Sequence, residues 1–359
     1  MISPDLSFKR KFARILTLVP MKSLVPTFLL ALTVAAGAQD VDRAQLALFG
    51  KLPAEWPNPQ NAITPEKITL GRMLFFEPRL SLSQEISCNS CHGLETFGVD
   101  RKAFSDGHAG HKTGRNSPTV YNAAGHLSQF WDGRAADVEA QAKGPILAGG
   151  EMAMPNPEYV LTVLNSIPGY KPPFAAAFPG EADPITYDNV AKAIGAFERK
   201  LSTPSRFDDY IDGKDDALTA DEKRGLSKFL STGCTACHSG PVLGGMLYQK
   251  FGLVKPWPFL NDEGRSKISG NEAEKGFFKV PSLRNIAETG PYFHDGSVNS
   301  LEVAVALMAE YQLGRALPTE DVTDIATFLR ALTGRVDKEY IAAPALPESG
   351  PTTPAPKHD

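Results

Sequence analysis

The 359-residue sequence lacks most of the features that assign a chain to a special structural class. It has only four cysteines, and no internal apolar run approaches the ~20 residues that a membrane-spanning helix needs. Basic and acidic residues nearly balance, so the net charge of −4 gives no reason to expect nucleic-acid binding. Hydrophobic residues make up 42% and charged residues 22%, which excludes a disordered, collagen-like or disulfide-dense chain. The length predicts a globular protein of two domains.

The first 38 residues are typical of a secretory signal peptide. Residues 23–36 form a short apolar stretch after basic residues, and Ala36-Gly37-Ala38 supplies the small-residue site, so cleavage is expected after Ala38. An uncleaved anchor is the less favoured alternative, and either Met1 or Met21 fits as the start of the protein. The removed segment carries five basic side chains and one acidic side chain, so the net charge of −4 becomes −8 once its +4 is lost.

The rest of the chain is predicted to be mostly α-helical, with one structural plan used twice. Helix starts at 64–66 and at 219–222 each lead into a Cys-X-X-Cys-His sequence, which we interpret as an internal duplication of the fold. Two later helices are expected over 301–313 and 320–332.

The domain limits follow from this plan. We expect an N-terminal domain over residues 39–205 and a C-terminal domain over residues 206–340. Residues 341–359 contain five prolines and few apolar groups, which predicts a disordered tail.

All four cysteines fall in two motifs, Cys88-Asn-Ser-Cys91-His92 and Cys234-Thr-Ala-Cys237-His238, which match the c-type haem attachment motif. In this motif the two thiols add to the vinyl groups of one haem, and the following histidine ligates its iron. The alternatives are a disulfide, half of a zinc site and a thioredoxin-type redox pair. A zinc site needs four ligands and a redox pair is expected in a βαβ setting, neither of which the nearby sequence offers. The motifs therefore predict two covalently bound haem c groups.

The residue in the sixth coordination position of each iron distinguishes electron transfer from catalysis. The candidates for the second haem are Met246, His294 and Met308. Met308 is favoured because it lies in a predicted helix with enough chain to reach the far face of the haem, whereas Met246 follows His238 by only eight residues. The candidates for the first haem are His108, His111 and His126. A histidine on a glycine-rich loop, such as His108, could be a removable ligand.

Four sequence blocks resemble the bacterial dihaem cytochrome c peroxidases, the family that includes MauG. The blocks are GRMLFFEPRLSLSQEISCNSCH, SDGHAGHKTGRNSPTVYNA, QFWDGRAADVEAQAKGPI and PSLRNIAETGPYFHDGSVNSLEVAVALM. They occur in the family's order, and the similarity covers nearly all of residues 44–335. The resemblance implies two cytochrome c-like domains with one haem each, a periplasmic location and often a homodimer. It also implies reduction of hydrogen peroxide to water with electrons from a small donor protein, such as cytochrome c or a cupredoxin.

The resemblance assigns four haem-iron ligands. His92 and His238 match the proximal ligands. His108 matches the distal ligand of the N-terminal, low-potential haem, and Met308 matches the axial ligand of the C-terminal, high-potential haem.

The resemblance also assigns residues around the haems. Trp131 matches a tryptophan that lies between them as an electron relay. Glu151 matches the acid–base residue of the peroxide pocket, with Gln141 and Phe130 as its neighbours. Three residues match ligands of a calcium ion between the domains, partly through carbonyl oxygens, which suit a hard cation. They are Asn116, Thr289 and Pro291.

Two other functions remain open beside the peroxidase. MauG-like members, which oxidise a protein substrate, carry tyrosine at the position of Met308, and Tyr311 lies three residues further on. A non-catalytic dihaem electron carrier would have no use for Glu151, Gln141 or the His108 loop. The sequence therefore favours the ordinary peroxidase.

Overall fold

The computed structural model describes residues 41–258 and 261–358. The helices are α1 (Arg43–Leu46), α2 (Pro65–Phe75), α3 (Cys88–Cys91), α4 (Val138–Leu147), α5 (Pro157–Asn165), α6 (Lys171–Ala177), α7 (Tyr187–Glu198), α8 (Arg206–Ile211), α9 (Ala220–Thr232), α10 (Ser266–Ser269), α11 (Leu301–Leu313) and α12 (Thr319–Arg330). The strands are β1 (Tyr248–Lys250) and β2 (Phe277–Lys279). The expected predominance of helix is confirmed, whereas the predicted signal peptide lies outside the described residues. None of the described helices is long and apolar enough to cross a membrane.

Both helix starts predicted from the sequence are confirmed. The Thr64 side chain accepts a backbone hydrogen bond at the start of α2, and Pro65 occupies the first helical position. Thr219 and Glu222 form the expected capping box at the start of α9. The later helices α11 and α12 also lie where the sequence predicts them.

In each half of the chain, two helices cross in close contact at a glycine. In the first crossing α2 packs on α7, and a Cβ atom at Gly71 would lie 1.9 Å from the Ala193 carbonyl oxygen. In the second crossing α9 packs on α12, and a Cβ atom at Gly225 would lie 2.0 Å from the Asp324 carbonyl oxygen. Any side chain at either glycine would push the paired helices apart. Because α2 and α9 precede the two cysteine motifs, the same packing supports both motifs.

Two hydrophobic cores lie around these crossings. The first is formed mainly by residues 70–201 and the second mainly by residues 207–332. Each end of the described chain packs in the core of the opposite half. Leu46 and Phe49 are buried in the second core, and Ile341 is buried in the first. The domain limits expected from the sequence therefore do not hold for the chain ends, because apolar side chains there are buried against the other half.

The carboxyl-terminal segment differs from the disordered tail expected over 341–359. Its described residues, 341–358, contain no helix or strand, but their backbone is hydrogen-bonded to the N-terminal half. Arg79 Nη2 donates to the Pro347 carbonyl oxygen at 2.8 Å, and Gln84 Nε2 donates to the Pro354 carbonyl oxygen at 2.7 Å. An extended proline-rich segment leaves its carbonyl oxygens free to accept such bonds. Composition alone could not show that matching donors lie far away in the sequence.

The short antiparallel sheet connects the two halves of the chain. Its register places Tyr248 opposite Lys279. The Lys279 N–H also donates to the Trp131 carbonyl oxygen at 2.7 Å. The sheet therefore helps to hold the loop that carries the predicted electron relay.

Candidate active site

The first cysteine motif is built on a single turn of helix. α3 begins after Ser87, whose capping box with Ser90 orders the turn, and His92 follows at its end. The His92 Nδ1 donates to the Gly98 carbonyl oxygen at 3.4 Å, which leaves Nε2 available for iron. Burial lowers the pKa of His92, so the ring is neutral, as ligation requires.

The second motif repeats this arrangement. A 3₁₀ turn at Cys234–Ala236 follows Gly233, which ends α9 in the left-handed region with φ +95°. The His238 Nδ1 donates to the Leu243 carbonyl oxygen at 3.2 Å, and burial lowers the pKa of His238 to about 4. Both motif histidines therefore present a neutral, oriented Nε2, which fits the role of a proximal haem ligand.

The four cysteines are free thiols, as haem attachment requires. Burial raises the pKa of Cys91 to about 11 and that of Cys234 to about 12, so neither is a thiolate at neutral pH. A low-pKa redox pair is therefore disfavoured. Among the described residues, no three His, Cys, Asp or Glu side chains are placed to hold a metal ion together, which disfavours the zinc site.

The residues expected around the peroxide pocket come together in one cavity, which we call the N-terminal cavity. It is lined by His92, Phe130, Trp131, Gln141 and Glu151. These residues come from four separate stretches of sequence, so their meeting is a property of the fold. A motif histidine and a carboxylic acid in one cavity are the groups that peroxide chemistry needs.

Glu151 lies in an environment that suits proton transfer. Burial raises its pKa, and the nearby Arg134 opposes part of that rise. The Arg134 guanidinium lies 3.4 Å from the centre of the Phe130 ring and pairs with Asp132 at 3.0 Å. These contacts hold a cation near Glu151 without bringing it into direct ion pairing with that carboxyl group.

The three histidine candidates for the first haem are separated in the structure. His111 is exposed, and His126 lines a second cavity, the one that contains the second cysteine motif. His108 is buried, and neither of its ring nitrogens has a hydrogen-bond partner among the described residues. The His108 ring does not line the N-terminal cavity. The backbone N–H of His108, however, donates to the Glu151 carbonyl oxygen at 2.8 Å. The loops that carry His108 and Glu151 are therefore in direct contact.

The second motif opens into a separate apolar cavity, which we call the C-terminal cavity. It is lined by Cys234, Cys237, His238 and Met308, and also by His294. Met246, the third candidate, is 55% exposed and does not line the cavity. The structure therefore brings Met308 and His294, but not Met246, to the second motif.

Trp131 is the residue that the resemblance predicts as an electron relay. Its indole lines both cavities. Its Nε1 donates to the Asn116 carbonyl oxygen at 2.9 Å, and its own backbone is bonded to β2. These bonds hold the ring in one orientation between the two motifs.

The three residues expected to bind calcium also meet at this junction. Asn116 Nδ2 donates to the Pro291 carbonyl oxygen at 2.9 Å, and Asn116, Thr289 and Pro291 all line the C-terminal cavity. An amide group and backbone carbonyl groups supply the oxygen atoms that Ca²⁺ prefers.

One buried acid in the N-terminal cavity could not be predicted from the sequence. Glu198 lines this cavity, and burial together with the negative charge of Glu139 raises its pKa to about 8. Arg199, its neighbour, pairs with Glu139 at 2.7 Å. A Glu-Arg sequence at the end of a helix is typical of a surface ion pair, so no local signal distinguishes Glu198.

Comparison with known proteins gives consistent matches. A family model described as di-haem cytochrome c peroxidase matches residues 65–216. Cytochrome c551 peroxidase of Pseudomonas aeruginosa is 44% identical over 94% of this chain and 98% of its own. Cytochrome c551 peroxidase of Nitrosomonas europaea is 44% identical over 87% of this chain and 93% of its own. The crystal structure of a MauG-like protein associated with microbial copper homeostasis superposes with a TM-score of 0.71 and 28% identity, covering 85% of this chain and 97% of that one.

Proposed function

The chain belongs to the di-haem cytochrome c peroxidase family, and we propose that it reduces hydrogen peroxide to water with electrons from a small cytochrome-type donor protein. One observation carries this proposal: the cavity that contains the first motif histidine also contains Glu151 and Gln141. A simple electron carrier has no need of a half-buried carboxyl group in the cavity that would hold its haem.

The chain's own residues fit two haem c groups. Cys88, Cys91 and His92 would hold the first haem, and the corresponding residues of the second motif, Cys234, Cys237 and His238, would hold the second. When bound, the haem irons supply the electron-accepting and electron-donating centres of the reaction. The neutral histidines with their bonded Nδ1 atoms support this assignment.

Glu151 is the proposed acid–base residue. It takes a proton from peroxide and returns it to the departing oxygen, so that the oxygen leaves as water. A carboxylate with a raised pKa binds a proton more readily than an ordinary surface carboxylate does, and it can still return that proton. The Gln141 amide, with Phe130 as an apolar neighbour, supplies a dipole that stabilises the polarised O–O bond.

Trp131 is the proposed route for electrons between the two cavities, because its ring lines both. Met308 is the proposed thioether ligand for the haem of the second motif, and this is supported by Met308 and His238 lining the same cavity. His108 is the proposed removable ligand at the first motif. Its two unpartnered, buried ring nitrogens suit a ligand, and its contact with the Glu151 backbone would couple the two loops.

We also infer that the protein acts in the periplasm, because c-type haem is attached outside the cytoplasm and the sequence predicts a signal peptide. The homodimer implied by the family resemblance stays a prediction.

The proposed activity predicts that protein with two covalent haems oxidises two reduced cytochrome c molecules for each peroxide consumed. This is measured from the cytochrome absorbance and from residual peroxide, before and after half-reduction of the enzyme. A carrier would exchange electrons with cytochrome but leave peroxide unconsumed. A MauG-like enzyme would consume peroxide while oxidising a protein side chain, independently of the cytochrome.

We propose that Ca²⁺ binds at Asn116, Thr289 and Pro291, partly through carbonyl oxygens. Treatment with a calcium chelator is then expected to lower peroxide turnover, with recovery on adding Ca²⁺ but less on adding Mg²⁺. Mg²⁺ is smaller than Ca²⁺ and requires nearly ideal octahedral coordination. A site built partly from backbone carbonyl groups therefore suits Mg²⁺ poorly. Calcium per chain is measured by elemental analysis.

Asn116→Ala removes the amide oxygen but keeps the backbone carbonyl that Trp131 binds, and Asn116→Asp keeps a side-chain oxygen. We expect the alanine variant, and not the aspartate variant, to lose calcium. Equal calcium content in both variants and the native protein would contradict this site.

A further inference from the structure

A buried basic pair lies in the wall of the C-terminal cavity and has no role in the reaction proposed above. Lys279, on β2, is 6% exposed, and its Nζ lies 2.7 Å from the His126 Nδ1. Both side chains line the C-terminal cavity together with Cys234, Cys237 and His238. Burial lowers the pKa of Lys279 to about 7, which shows how little its surroundings stabilise a charge.

The cavity wall supplies no anion to balance this lysine. Among the described residues, no carboxylate lies within ion-pair distance of the Lys279 ammonium, and the cavity lining includes no aspartate or glutamate. Lys279 is also the only lysine or arginine in that lining. Burying an uncompensated cation costs several kcal/mol, so a lysine kept at such a position implies an anionic partner from outside the described chain.

The histidine of the pair positions the lysine. An ammonium group can only donate, so the His126 Nδ1 accepts and the neutral ring carries its proton on Nε2. That Nε2 is buried and has no hydrogen-bond partner among the described residues. Gly245 packs on the Cδ2–Nε2 edge of the ring, so the Lys279 Nζ is the donor that this pair offers to an anion in the cavity.

The fold holds both side chains in place. The Lys279 backbone is paired with Tyr248 in the sheet and is bonded to Trp131. Gly245, with φ +74°, packs on the imidazole so closely that a Cβ atom there would lie 2.3 Å from the His126 Cδ2. A glycine is required at this position to let the ring take its place.

We propose that Lys279, positioned by its hydrogen bond to His126, binds a propionate carboxylate of the haem that Cys234 and Cys237 would hold, and that the lysine charge raises the reduction potential of that haem. The proposal rests on the proposed function, in that the C-terminal cavity must hold this haem. A propionate is the anion that the cofactor itself would bring to an otherwise apolar cavity, and an ammonium group forms a charge-assisted hydrogen bond with a carboxylate. A fixed positive charge nearby favours the reduced iron, which carries one positive charge less.

The test compares Lys279→Met and Lys279→Arg with the native two-haem protein. The control is Lys250→Met, which removes the same charge from an exposed position on the neighbouring strand. Mass spectrometry first counts covalent haems, and spectroelectrochemical titration then gives the potential of each haem. We expect Lys279→Met to lower the reduced-to-oxidised ratio of the C-terminal haem about tenfold at fixed potential, which equals about 59 mV for one electron. Lys279→Arg should recover most of this loss, and Lys250→Met should show none.

The outcomes separate this proposal from the proposed function. Absence of the second haem from the native protein would overturn the proposed function. A native protein with both haems, and a Lys279→Met variant with an unchanged C-terminal potential, would overturn the propionate contact alone. If Lys279→Met does not accumulate with two haems, the propionate bending band in the resonance Raman spectrum of Lys279→Arg decides instead. A shifted band supports the contact, and a band identical to the native one refutes it.

Discussion

Replacing Glu151 by glutamine is expected to lower the turnover number for peroxide by about 10²–10⁴-fold, the range that a positioned acid–base group usually contributes. Glutamine keeps the size and polarity of the side chain but cannot carry the proton between the two oxygens of peroxide. The measurement is steady-state oxidation of reduced cytochrome c, with covalent haem counted in each sample. Glu158→Gln is the matched control, because Glu158 is an exposed carboxylate on α5.

The pH dependence of the native enzyme gives a second readout of the same residue. Glu151 must start as a carboxylate to accept a proton, and burial raises its pKa above the usual value of 4.5. The rate should therefore fall as the pH is lowered through this raised pKa. In Glu151→Gln this acidic limb should be absent from the remaining activity. Full turnover by the glutamine variant, with both haems in place, would exclude Glu151 as the acid–base residue.

Replacing Met308 by alanine is expected to lower the potential of the C-terminal haem by on the order of 0.2 V, a fraction of the roughly 0.8 V that axial ligands span. In our proposal the Met308 thioether is the ligand that favours the reduced iron, and alanine removes it. The absorption spectrum of this haem should also change from that of a six-coordinate iron. Because electrons from the donor enter at this haem in our proposal, peroxide turnover with cytochrome c should fall as well.

The structure offers a close control for the methionine. Met246 was the other methionine candidate, but it is 55% exposed and lies outside the cavity lining, so Met246→Ala should leave both spectrum and potential unchanged. An unchanged spectrum in Met308→Ala would move the ligand role to His294, which lines the same cavity. The MauG-like alternative, in contrast, depends on a tyrosine at this position.

The features that sequence reasoning predicted correctly are those encoded by neighbouring residues. A haem attachment motif spans five residues, and a capping box spans four, so both are visible in a linear sequence. The helix starts at Thr64 and Thr219 were predicted for this reason. The family resemblance added residues that no local motif identifies. The order of the distant sequence blocks matches the family, and this match assigned Glu151 and Trp131 to one expected site.

The features that were missed depend on pairs far apart in the chain. Lys279 and His126 are 153 residues apart, and nothing near either residue shows that their side chains meet. Glu198 likewise looks like part of a surface ion pair until the fold places its carboxyl group in the N-terminal cavity. Such contacts arise only when helices and loops from both halves pack together.

The overall composition of the chain is that of an ordinary globular protein. This is consistent with a chain whose chemistry is concentrated in two short motifs. The amino-acid order was sufficient to predict the haem c groups, the helical class and the family, because local spacing carries that information. The tertiary structure was needed to bring Glu151 into the cavity of His92, to place Trp131 between the two cavities and to bond the proline-rich tail to the N-terminal half. Burial and long-range packing determine these contacts, and neither is a property of any short segment.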